Sequence, residues 1–200
     1  MHLATIISLI LLSPDNVEGL KDTLTYSVIE TSAKQAVPYE RMATPVSVAY
    51  LDELEARLID SPKKLSAIVP NLHIPDYGSA MTSSIYLRGF GSRMENPVLG
   101  LYIDDVPVLN KNAYDMDMLD IRRADLFRGP QGTLYGRNSM CGVLSLNTLS
   151  PSSYEGIRAA LQYGSANNVS ARASIYRKTK DGLAIGAGVG FRHSDGFYTN

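Results

Sequence analysis

At 200 residues the chain is long enough for one ordinary domain with a real core, or for one domain and part of a second. Its 19 basic and 20 acidic side chains leave a net charge of −1, which excludes charge-driven binding to nucleic acid. One cysteine, Cys141, excludes an internal disulfide, three scattered histidines offer no zinc spacing, and no cofactor signature is present.

In chain order, the apolar run Leu3–Leu12 is too short to cross a bilayer as a helix and reads as the core of a secretory signal, residues 1–14, although no Lys or Arg precedes it. Residues 15–43 are polar and aperiodic, with TLTYSVIETSAKQ their one extended, β-favouring piece, and read as a flexible tail. PVSVAY (Pro45–Tyr50) reads as a strand. LDELEARLID then reads as a short helix with Leu51, Leu54 and Leu58 on one face. A second helix is expected between Ser61 as cap, Pro62 in its first turn and Pro70 as its stop, with Leu65, Ile68 and Val69 as its apolar stripe.

Short strands follow at IYLRGF, at VLGLYIDDVPVL with a bend at Asp104–Asp105, at ADLF before Arg128, and at VLSLNTL from Val143. Mixed helices and strands with non-local pairing describe a small α+β domain over residues 44–151. From Gly156 the texture changes to strict alternation. Ile157, Ala159, Leu161 and Tyr163 oppose Arg158, Ala160, Gln162 and Gly164; the pattern repeats over Val169–Tyr176 and Leu183–Phe191, with hairpin turns at SANN and KTKDG. Three such segments match transmembrane β-strands of about 9 to 11 residues, and equally a soluble meander with one buried face. No helix follows to cover the apolar face, which favours antiparallel strands of an incomplete transmembrane β-barrel over residues 156–200 and predicts detergent dependence for the chain alone.

The stretch RGPQGTLYGRNSMCG, Arg128–Gly142, resembles a phosphate loop in its glycines but contains no Gly-Lys pair, and RGFGSRM has Met94 where a dinucleotide loop needs its third glycine. Its glycines suit tight reversals, and Arg88, Arg128 and Arg137 offer forks for carboxylates or carbonyls. No nucleophile, base and orienting group assemble from the motifs, so the chain is not read as an enzyme.

The run IRRADLFRGPQGTLYGRNSMCGVLSLNTLSP closely resembles the signature of the plug domain of TonB-dependent outer-membrane receptors, and IYLRGFGS and LYIDDVPV resemble two earlier signatures of that plug in the same order. The resemblance covers roughly residues 45–151. Cys141, Asp104–Asp105 and Ala124–Asp125 depart from the residues common in the family at those places. The resemblance implies an outer-membrane location, a plug inside a barrel of about 22 strands, and energised uptake of a scarce small-molecule or metal-chelate ligand such as an iron–siderophore complex. It also implies TonB, with its inner-membrane energising complex, as a partner beside outer-membrane lipid. Haem, cobalamin and glycans suit the same plug.

On that resemblance the TonB-contacting segment is expected at Asp22, Thr23, Leu24, Thr25, Tyr26, Ser27, Val28 and Ile29. The plug motif and its contacts with the barrel are expected at Arg88, Gly89, Asp104, Asp125, Arg128, Gly129, Pro130, Tyr135, Gly136, Arg137 and Gly142. Loops at Tyr77–Ser83 and Ser92–Pro97 are expected to face ligand. The alternative is a periplasmic plug-like module that binds a partner and transports nothing.

Overall fold

The computed structural model describes residues 7–12, 44–75, 84–92, 97–179 and 182–195. The chain divides into two compact units, one over residues 27–148 and one formed from Leu149 onward together with an N-terminal strand.

The first unit is built on a five-stranded sheet of order β2-β8-β9-β6-β7. Its strands are β2 (Val46–Tyr50), β6 (Leu99–Ile103), β7 (Val106–Val108), β8 (Ile121–Phe127) and β9 (Gly142–Thr148). All its pairings are antiparallel except β6 with β9. Alternation gives the sheet two faces. One presents Ala49, Leu99, Leu101, Ala124, Leu126, Leu144 and Leu146 to the main apolar core, and the other carries Tyr102, Phe127 and Val143 into a second cluster with Tyr135. A small sheet of β3 (Leu72–His73), β4 (Ile85–Leu87) and β5 (Phe90–Ser92) adds Leu72, Ile85 and Leu87 to the main core.

Local structure differs from expectation at two helices. The first, α1, is confined to Leu51–Ala56 because Leu58 turns left-handed (φ 54°), with Leu58 N–H bonded to Glu55 O and Ile59 N–H to Leu54 O; this is a Schellman ending with leucine where glycine is favoured. The second is a 3₁₀ turn over Pro62–Ala67, and the Ser61 side chain makes no capping bond. Lys64 is tied instead to Asp60 at 2.7 Å, and the buried Lys63 lies 3.7 Å from Asp115. IYLRGF is likewise not one strand: Arg88 and Gly89 both have positive φ and make a two-residue hairpin turn between β4 and β5.

The second unit is a four-stranded antiparallel sheet in which β1 (Ile7–Leu12), β10 (Gly156–Gly164), β11 (Asn168–Lys178) and β12 (Ala184–His193) lie side by side in that order. Its register sets Arg158 opposite Ser174, Arg172 opposite Gly190 and Tyr176 opposite Gly186, so one face is polar or small; Ile157, Leu161, Ile175, Ile185, Val189 and Phe191 lie exposed on the other. The apolar run expected as a signal contains β1 (Ile7–Leu12), whose backbone pairs with β10 from Leu12 opposite Arg158 to Ile7 opposite Tyr163.

Candidate functional site

The glycine-rich stretch is an architectural crossing from β8 to β9. Arg128 N–H extends the β2–β8 ladder by bonding Pro45 O at 2.9 Å, and Gly129 is buried where a side chain would begin 3.3 Å from Thr44 Cγ2. Gln131 then ties the loop twice, its side chain donating to Thr44 Oγ1 at 2.8 Å and its N–H to Ser139 O at 3.0 Å. A single helical turn, α2 (Gly132–Tyr135), ends at Gly136, whose φ of 75° suits glycine. Ser139 Oγ donates back to Gly136 O. The chain re-enters the sheet at Gly142, where a β-carbon would sit 2.3 Å from Phe127 O and 2.7 Å from Leu87 Cδ2.

Tyr135 locks this crossing to the sheet. Its ring meets Tyr102 edge-on at 4.8 Å and lies 6.1 Å from Phe127, and Tyr102 Oη donates to Tyr135 O. Burial, then the Asp105 and Asp125 charges and Tyr102, push the Tyr135 hydroxyl far above the usual tyrosine range. Burial does the same to Tyr114, whose hydroxyl donates to Leu99 O, and more mildly to Tyr102.

Beneath it, Asp125 is 0 % exposed and accepts from Arg123 Nε at 3.0 Å and from Asn147 Nδ2 at 3.2 Å. The pairing follows from sheet geometry: Arg123 and Asp125 are two apart on one face of β8, and Asn147 stands opposite Arg123 on β9. Asp104 makes a second junction. In the two-residue turn between β6 and β7, where Asp104 and Asp105 have φ of 46° and 65°, its carboxylate accepts from Thr148 N at 2.8 Å and Thr148 Oγ1 at 2.7 Å while its N–H bonds Leu146 O. Asp104 thus holds the last residue of β9.

The structure therefore gathers Asp125, Gly129, Tyr135, Gly136 and Gly142 around one crossing, and sets Asp104 at the far end of β9. Arg88, Gly89, Pro130 and Arg137 are exposed, whereas Arg128 is half-buried, with an Nε that has no hydrogen-bond partner among the described residues. Asp22–Ile29, residues 77–83 and most of 92–97 lie outside the described residues. The sequence reading missed Tyr102, Arg123, Gln131, Asn147 and Thr148; only the Arg-x-Asp spacing on a strand signalled one of these contacts. No group able to hold a metal occurs among the described residues.

Comparison with known proteins bears on the same stretch. A family model described as the TonB-dependent Receptor Plug Domain matches residues 39–143. The pesticin receptor of Yersinia pestis is 31% identical over 171 residues, which cover 84% of this chain and 24% of that protein. The vitamin B12 transporter BtuB of Vibrio vulnificus is 26% identical over 178 residues, 86% of this chain and 28% of that protein. Among solved structures, the ferric yersiniabactin uptake receptor FyuA from Yersinia pestis aligns with a TM-score of 0.65 at 28% identity, over 76% of this chain and 24% of that one. The ferric-catecholate import receptor Fiu from E. coli K12 shares the fold, with a TM-score of 0.69 at 20% identity over 84% of this chain and 24% of that one. The chain spans about a quarter of the length of these relatives.

Proposed function

The chain belongs to the TonB-dependent receptors, a family of the outer membrane, and from that membership we propose that it is the plug and first barrel strands of a receptor that imports a scarce ligand, such as an iron–siderophore complex, with energy delivered through TonB. One observation carries the reading: a unit closed around a buried apolar core is followed in the same chain by a sheet whose apolar face is bare, its large side chains being 49–68 % exposed. Lipid is the solvent that suits such a face, which weighs against a water-soluble plug-like module. The named ligands of the relatives, yersiniabactin and vitamin B12, support a small chelate as cargo.

In this reading residues 15–43 form a periplasmic tail, 44–151 the plug and 156–200 the start of the barrel. TonB adds a strand to Asp22–Ile29. Arg88 and Arg128 pair with carboxylates of barrel strands beyond Asn200, and the buried Arg128 Nε supports that role. Plug loops at 77–83 and 92–97 face ligand. The role is transport, in which ligand contact shifts the tail toward an accessible state.

The test is Val28→Pro in the complete receptor, because proline removes the N–H that strand addition uses. Uptake of a labelled ferric siderophore by iron-starved cells is expected to be lost with surface binding unchanged. Unaltered uptake would remove the tail assignment, and uptake that persists in cells without TonB would overturn energised import.

A further inference from the structure

The segment joining the two units, Leu149–Glu155, is folded and seated on the strand sheet. Ser150 organises a turn: its carbonyl accepts from the N–H groups of Ser153 and Tyr154, each at 3.0 Å, and from Ser153 Oγ at 3.2 Å, while its hydroxyl lies 2.7 Å from Ser152 Oγ. The turn delivers Tyr154, which is buried, edge-on to Tyr176 of β11 with ring centroids 5.5 Å apart and planes at 80°. The Arg158 guanidinium of β10 stands 6.0 Å from the Tyr154 centroid.

Tyr176 in turn depends on β12. It pairs with Gly186, where a β-carbon would lie 2.8 Å and 2.9 Å from two atoms of its ring and 3.6 Å from Pro151 Cβ. The glycine is therefore the space the ring occupies. The Tyr154 hydroxyl is buried without a hydrogen-bond partner among the described residues, so the ring rather than the hydroxyl makes the contact.

We propose that Tyr154, Tyr176, Arg158 and Gly186 form a docking site that pins the chain where it enters the strand wall. Tyr154 is then a positioning residue. Its mechanical consequence rests on the transport reading above: undocked, Leu149–Glu155 can extend to roughly 25 Å at ~3.3–3.6 Å per residue, and whatever this exceeds its docked span is slack to be drawn out before tension on the tail loads the plug.

Hydrogen exchange of the Ser153 and Tyr154 amides in the complete receptor, without ligand or TonB, tests the docking independently of transport. Tyr154→Ala is expected to speed exchange about tenfold, the worth of one good aromatic pair. Gly186→Ala, remote in sequence, is expected to do the same by displacing the Tyr176 ring, with the β10–β11 ladder still protected. Tyr154→Phe keeps the ring and should leave exchange as it is. Unchanged exchange in either alanine variant, or exchange in Tyr154→Phe as fast as in Tyr154→Ala, overturns the docking site. Siderophore uptake is the second readout: a several-fold fall with surface binding intact supports the mechanical role, whereas full uptake with fast exchange refutes that role and leaves the docking site standing.

Discussion

Strands β9 and β12 show how one alternating pattern serves two solvents. β9 is buried at five consecutive residues, Leu144 and Leu146 in the main core and Val143 in the second cluster. β12 is exposed at nine of its ten residues, with Ile185, Val189 and Phe191 on one side and Gly186, Gly188 and Gly190 on the other. The first unit is thus held by apolar burial, worth about 1.5–3 kcal/mol for each fully buried large side chain, with a polar pair sealed inside it. The strand unit is held by its ladders, and its apolar face stabilises nothing until a bilayer covers it. A substitution should therefore weigh heavily in the first unit and lightly in the second.

The largest effect is expected at Asp125. Removing a fully buried carboxylate takes from Arg123, whose side chain is 11% exposed, the acceptor 3.0 Å from its Nε. Asp125→Ala should cost about 3–5 kcal/mol. Hydrogen exchange of the β8 and β9 amides in the detergent-solubilised receptor reads the loss, while β11 and β12 amides keep their protection. A loss below about 1 kcal/mol would mean that the pair is solvated and the contrast between the units overstated.

Next comes the same change made in both regions. Gly142→Ala drives a methyl to 2.3 Å from a backbone oxygen that cannot swing away, which should cost about 1–3 kcal/mol or more. Gly190→Ala meets nothing nearer than Arg172 Cγ at 3.9 Å and should stay within about 0.5 kcal/mol of the parent. Equal melting temperatures for the two variants would break the comparison.

That difference also decides what the sequence discloses. The alternation located β10, β11 and β12 within about two residues at each end, because an uncovered sheet writes its two faces directly into the chain. The first unit is less legible. β8 begins at Ile121, three residues before ADLF, and takes in the charged Arg122 and Arg123, the second of which is sealed against Asp125. The turn α2 carries no period, and Arg88 gives no sign of left-handed backbone beyond its glycine neighbour. Asp104 and Asp125 stand within the stretches that resemble the family's signatures. What they bind, Thr148 lying 44 residues from Asp104 and Asn147 lying 22 from Asp125, is set by strand pairing that no local pattern encodes.

The smallest effect appears only in alkali. Tyr102, Tyr114 and Tyr135 share an upward displacement whose first cause is burial. Each hydroxyl therefore keeps its proton in the fold above pH 10, where the unfolded chain begins to lose its own. The unfolded state then binds fewer protons, so stability falls as pH rises through that point, until the folded hydroxyls ionise in their turn. Below about pH 9 these groups leave stability independent of pH. Following tyrosinate absorbance beside β8 and β9 exchange between pH 9 and 11 separates two outcomes. If the core is closed around these rings, their ionisation coincides with loss of amide protection. Ionisation at an ordinary pH with the amides still protected would mean that water reaches them, and that the first unit is sealed by Asp125 and its partners alone.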